Sequence, residues 1–182
     1  MLRNALLHSL LQVEAVFDCM PDGSPLVADY FVDLGVGRHL RHIYDHFLAL
    51  QSALEIRASN VALMIDYNCR HRESLVERDL AASKKMLSML LAWCQQLPDD
   101  TVLFNTPVVV ISEIDCLQQA SASFNSCIAR ELLYLMNHTI HHMAFVKLLL
   151  RGVGIHLPCH VGVAPSTASY ERKHSVSVEV NS

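Results

Sequence analysis

The sequence predicts an all-α chain: four long helices packed as an antiparallel or crossover bundle, with a short β-hairpin inserted between the third and the fourth. Three observations carry this. Apolar residues recur at spacings of three and four in four long segments. Breakers rich in proline, glycine and aspartate separate those segments. Hydrophobic residues make up 52% of the 182 residues against 18% charged, enough for a sizeable core and too apolar for a disordered chain. This length fits one domain, expected over residues 1–163, with a polar tail over 164–182.

The first helix is expected from about Leu2 to Phe17, ended by Pro21-Asp22-Gly23-Ser24-Pro25. The second runs from about Asp33 through Arg57, where Leu40, Ile43, Phe47, Leu50 and Leu54 recur at three and four. The third starts near Glu73 and stops at Pro98-Asp99-Asp100, with Val76, Leu80, Leu87, Leu90, Cys94 and Leu97 as its inward stripe. Residues 101–112, TVLFNTPVVVIS, place β-branched runs around Asn105-Thr106-Pro107, which reads as a hairpin. The fourth helix is expected from about Ser121 to Leu150, capped by Ser121 or Ser123 and stopped at Gly152. Beyond it the chain turns polar and irregular.

Charge and cysteine usage narrow the function. Lys and Arg total 14 against 18 Asp and Glu, giving a net charge of -4, so no basic surplus exists to bind nucleic acid. The six cysteines include no CxxC pair and read as the reduced thiols of a cytoplasmic protein. The amino-terminal helix lacks a cleavage signal. The most apolar stretch, Leu132 to Leu150, carries His138, His141, His142 and Lys147, which are too costly in lipid for a membrane span. A mean hydropathy of +0.27 leaves apolar surface to cover, and a homodimer is expected.

Histidine is the unusual residue, at 11 of 182. His39, His42 and His46 fall on the second helix, and His138, His141 and His142 on the fourth. At about 100° per residue, His138 and His142 project from one face. A buried imidazole without a partner carries a desolvation penalty. A metal ion would satisfy both rings, and a third ligand from a facing helix would fix the geometry. Three neutral nitrogens leave a position open for water or substrate and suit zinc, nickel or iron(II). The other reading is a set of hydrogen-bonded core histidines. Thr139 stands where HExxH needs Glu, and the one Glu-x-x-His, Glu171 to His174, lies in the tail, which excludes a zincin and a di-iron bundle. No P-loop, GxGxxG or GxSxG is present.

The segments GRHLRHIYDHF and ELLYLMNHTIHHMAF resemble the two histidine motifs of the DinB-like superfamily of four-helix bundles. IDYNCRHRE and HVGVAPST resemble a subgroup of that family without an assigned reaction, and the likeness covers about residues 35 to 168. It implies a crossover bundle with a divalent-metal site of one histidine from the second helix and two from HxxxH on the fourth. His138 and His142 match the latter, and His42-Ile43-Tyr44-Asp45 matches the former. Helical spacing instead sets His39 and His46 nearer the apolar stripe, so His39 stays as the alternate. The extra histidines His39, His46 and His141 would orient the ligands or shift the ligand set.

The resemblance further implies a thiol S-transferase acting on a low-molecular-weight thiol, with a metallohydrolase as the nearer variant. A helical protein that binds metal without turnover, or uses its histidines structurally, is the competing reading. Arg70 or Arg72 could grip a substrate carboxylate, or be solvated charge beside Asp66 and Glu73. Glu131 lies about 10 Å along the helix from His138, too far for a general base, whereas Tyr134 is one turn away.

Overall fold

The computed structural model describes residues 1–20, 25–56 and 63–179. The breaker at 21–24 and the expected end of the second helix at Arg57 lie outside them. In chain order the elements are α1 (Leu2–Cys19), α2 (Pro25–Asp33), α3 (Val36–Glu55), β1 (Leu63–Asp66), α4 (Leu75–Arg78), α5 (Leu80–Gln96), α6 (Thr101–Phe104), β2 (Pro107–Glu113), β3 (Ser121–Cys127), α7 (Ile128–Gly152) and α8 (Pro165–Glu179).

The all-α expectation is overturned. A three-stranded sheet of order β1-β2-β3 is built into the domain. β2 and β3 form an antiparallel hairpin from Pro107↔Cys127 to Glu113↔Ser121, while β1 lies parallel to β2 from Leu63↔Val108 to Asp66↔Ile111. The parallel pair requires a crossover, made here by α4, α5 and α6. This mixed sheet is not a hairpin inserted into a DinB-like four-helix bundle, and that fold assignment is withdrawn. The hairpin itself is displaced. Residues 101–104 form a helical turn capped by Asp100, whose carboxylate accepts from the Val102 amide at 2.9 Å, and the strands are 107–113 and 121–127. Ser121 and Ser123 therefore sit in β3 and cap nothing, and α7 begins at Ile128.

Two further boundaries differ for local reasons. Asp79 caps α5, its carboxylate accepting from the Ala82 amide at 2.6 Å, so the third expected helix is split into α4 and α5. Residues 165–179 of the expected loose tail are helical.

Of the stripes the spacing predicts, Leu40, Ile43, Phe47, Leu50, Leu87, Leu90, Cys94 and Leu97 are buried, and Leu54, Val76 and Leu80 partly so. α1 packs on α5 and α7, and α3 packs on the same two. Leu6, Leu10, Val13 and Val16 of α1 meet Leu40, Ile43, Phe47 and Leu50 of α3, Leu87, Leu90 and Cys94 of α5, and Leu132, Leu135, Met143 and Val146 of α7 in one core. Leu63 and Ile65 of β1 and Val108 and Val110 of β2 alternate into that core. β1 packs against α3 and β3 against α7, so the sheet borders both histidine-bearing helices.

Two glycines permit close approaches. A Cβ on Gly37 would lie 2.1 Å from the Glu77 carbonyl oxygen, so this glycine lets α3 and α4 touch. Gly162, at φ 72°, lies against the backbone of Ala144 and donates its amide to Gln12 Oε1 at 2.8 Å. Lys147 Nζ donates to the carbonyls of Pro158, Cys159 and Val161 and straps the same loop to α7.

Candidate functional site

Where α3 crosses α7, the two histidine clusters face each other. One ring nitrogen each from His42, His138 and His142 lies within 4.8 Å of the other two. The ring centroids stand 4.9 Å apart for His42 and His138, 4.7 Å for His42 and His142, and 4.5 Å for His138 and His142. His39, the alternate, takes a different place: its Nδ1 is 3.0 Å from Nδ1 of His142, a hydrogen bond whose donor depends on the tautomers. His46 packs beside His138 with centroids 4.1 Å apart. His141 is exposed and touches only the edge of the group, 5.5 Å from His142.

His39, His42, His46, His138 and His142 are held neutral. Burial is the main cause throughout, and it brings His42 and His138 down to about 4 and His142 to about 3. Arg70 lowers His42 further, His42 lowers His138, and His138 and His42 both lower His142. His46 falls to about 2, by burial and then by His138 and His42. Neutral rings keep a lone pair free for a ligand. Both ring nitrogens of His46, and Nε2 of His138, are buried without a hydrogen-bond partner. Buried polar atoms are nearly always satisfied, and these three nitrogens are exceptions to that rule.

The floor of the site comes from the unexpected sheet. Tyr67, just after β1, stacks on His46 at 4.8 Å, and Tyr134 of α7 stacks on His138 at 5.4 Å. Tyr67 donates its hydroxyl to Glu131 Oε2 at 2.9 Å, and Ser126 of β3 and Arg130 donate to Oε1 at 2.5 and 2.9 Å. Glu131 is fully buried with both oxygens engaged, so it pins β1 and β3 to α7 and is no general base. Burial and the Glu131 charge hold the Tyr67 phenol far above its usual range.

Arg70 and Arg72 separate. Arg70 Nη1 donates to the carbonyls of Tyr67 and of Cys69, the latter at 3.0 Å, which fixes its charge near His42, His46 and His138. Arg72 lines a different cavity with Arg38, Arg78 and Glu73.

Sequence reasoning missed a second polar cluster on α3. Arg41 donates to Asp45 at 2.8 Å and to Glu77 of α4 at 3.0 Å, and His71 reaches Asp45 at 2.7 Å. The i, i+4 spacing of Arg41 and Asp45 was the available signal. Glu77 and His71 carried none, because they arrive from a loop and a short helix far along the chain.

No helix among the described residues is long and apolar enough to cross a membrane. No family model matches the chain, and no solved structure matches it. The chain is similar to FK506-binding protein 5 of Rhizopus delemar, with 29% identity over 116 residues, 64% of this chain and 30% of that protein. It thus spans less than a third of that relative's length. The DinB-like assignment, already at odds with the mixed sheet, finds no support in these comparisons.

Proposed function

We propose that His42, His138 and His142 hold one divalent transition-metal ion, zinc, nickel or iron, and that the chain uses it enzymatically on a small molecule. The observation that carries this is the convergence of three neutral ring nitrogens from two helices within 4.8 Å of one another. Three imidazoles leave coordination positions open, as in catalytic and not in closed sites. A divalent ion held there supplies Lewis acidity, which lowers the pKa of a thiol or water that reaches it.

The chain's own groups favour a thiol over water. Water activation gains from a carboxylate base, yet Asp45 and Glu131, the carboxylates near the cluster among the described residues, are engaged. Asp45 is taken by Arg41 and His71, and Glu131 by Tyr67, Ser126 and Arg130. A thiol ionises about seven pKa units more readily than water and needs no such base. His39 would orient His142 through its other nitrogen, and the stacked rings of Tyr67 and Tyr134 would keep water from the rear. Transfer of a low-molecular-weight thiol to an electrophilic acceptor is therefore the proposed reaction.

Elemental analysis of untagged protein tests the site. About one equivalent of metal, lost in His138→Ala and kept in His141→Ala, is the expected result. Equal metal in wild type and His138→Ala refutes it. Turnover of thiols with electrophiles, dependent on added zinc, nickel or iron(II), tests the reaction.

A further inference from the structure

The strand β3 is an edge that nothing defends. Among the described residues the sheet runs β1-β2-β3, so no strand pairs with the outer side of β3. Its sequence, Ser-Ala-Ser-Phe-Asn-Ser-Cys, holds no charge and no proline. Its pairing with β2 runs unbroken from Pro107↔Cys127 to Glu113↔Ser121, without a bulge. Folded proteins ordinarily guard such edges with lysines, prolines, bulges or shortness, because unpaired backbone groups template a further strand. The ladder shows which groups those are. Ile114 donates its amide to the Ala120 carbonyl at 2.9 Å, and Ile128 donates to that of Thr106 at 3.1 Å. In that register the even-numbered residues of β3 bond to β2, and Ser121, Ser123, Asn125 and Cys127 turn their amides outward. Phe124, 49% exposed, stands at the middle of this row.

We propose that β3 pairs antiparallel with β3 of a second copy of this chain, about a twofold axis at Phe124, and joins two sheets into one. The strand's own pattern favours a copy of itself over another partner. An axis at Phe124 pairs residues 121–127 with 127–121 over their full length, whereas any other axis shortens the overlap. It sets the outward amide and carbonyl of Ser123 against those of Asn125 in the other copy, and the reverse, so each donor meets an acceptor. Phe124 then meets its own copy between two hydrogen-bonded pairs, where cross-strand side chains lie closest and aromatic pairs gain most. On either side of that ring the strand is nearly symmetric in size. Ser123 matches Asn125, Ala122 matches Ser126 and Ser121 matches Cys127, so no bulky groups collide and no like charges meet. That neutrality matters for two copies that each carry a net charge of -4. Ile114 and Leu117, 61% and 93% exposed in the connection before β3, extend the uncovered apolar surface past the strand end. A seam of one strand a side is narrower than the about 1,200 Å² of a stable interface, so a dimer of micromolar affinity is expected.

The pairing is independent of the proposed metal centre, and neither depends on the other's test. Sedimentation equilibrium of the full chain, over about 1–300 μM, is expected to show a concentration-dependent dimer. Asn125→Pro removes an outward amide and no bond to β2, so it weakens the dimer about tenfold or more and keeps the thermal midpoint of the monomer. Phe124→Lys and Phe124→Glu are each monomeric, because the twofold sets residue 124 opposite itself and like charges repel. Their equimolar mixture associates more tightly than either variant alone. Hydrogen exchange reads the same seam in the unmodified chain: the amides of Ser123 and Asn125 slow as concentration rises, and that of Phe124, already bonded to β2, does not change. These last two measurements decide the matter if Asn125→Pro does not fold. A wild-type chain that stays monomeric over the whole range overturns the proposal. So does a dimer that the Phe124 substitutions leave intact, a lysine–glutamate mixture no tighter than its parts, or assembly that grows beyond two copies.

Discussion

On α3, Arg41 and Asp45 enter one polar cluster, and His42 and His46, one residue further on, enter another. The first is closed. Arg41 meets Asp45 and Glu77, Asp45 also meets the His71 ring, and these three side-chain pairs are 2.7 to 3.0 Å apart. The second is open, with His39, His42, His46, His138 and His142 in contact and three ring nitrogens buried without partners. A satisfied cluster ties α3 to α4 and the loop before it. An unsatisfied one carries the desolvation cost of its burial without the hydrogen bonds that would offset it.

The difference can be broken from either side. The largest effect is expected on acidification of the metal-free protein, because several imidazoles act together. Their folded pKa values lie below the ordinary 6.5, at about 4 for His42 and His138 and about 3 for His142. Between those values and 6.5 the unfolded chain binds more protons, so stability rises with pH there. Denaturant unfolding should show constant stability above that ordinary value and a decline as pH falls toward the folded values. A profile flat through the whole interval contradicts burial of neutral rings.

Next in size is Arg41→Met, which leaves Asp45 and Glu77 buried without their cation and should cost about 3–5 kcal/mol in urea unfolding. Gly37→Ala follows, at about 1–3 kcal/mol, because its methyl meets the Glu77 carbonyl, backbone that cannot swing aside. Smallest is His138→Ala in the metal-free chain. Deleting a ring whose Nε2 has no partner should change stability by less than about 1 kcal/mol, while abolishing any thermal stabilisation by added zinc. A loss for His138→Ala as large as for Arg41→Met would show that the two clusters do not differ in kind.

Legibility in the sequence followed the range of the interaction. The stripes of α3 and α5 are local 3.6-residue patterns, readable in the sequence for most of their members. The pairing of His138 with His142 is equally local, one helical turn apart. The sheet was not. β1 is only Leu-Met-Ile-Asp, and its partner in β2 lies beyond three helices. β3, Ser-Ala-Ser-Phe-Asn-Ser-Cys, is an edge strand with little apolar alternation, so its serines looked like helix caps.

By itself, then, the amino-acid order determined which helices carry histidines and which of their residues turn inward, since both depend on neighbours within a turn or two. Tertiary structure decided the rest. The crossing of α3 over α7 chose His42 as companion to His138 and His142, set His39 behind His142, and left His46 beside His138. Strand pairing between distant segments brought Tyr67 and Ser126 onto Glu131 and closed the wall behind the cluster. Contacts of that range depend on how whole elements pack, and no spacing along the chain encodes them.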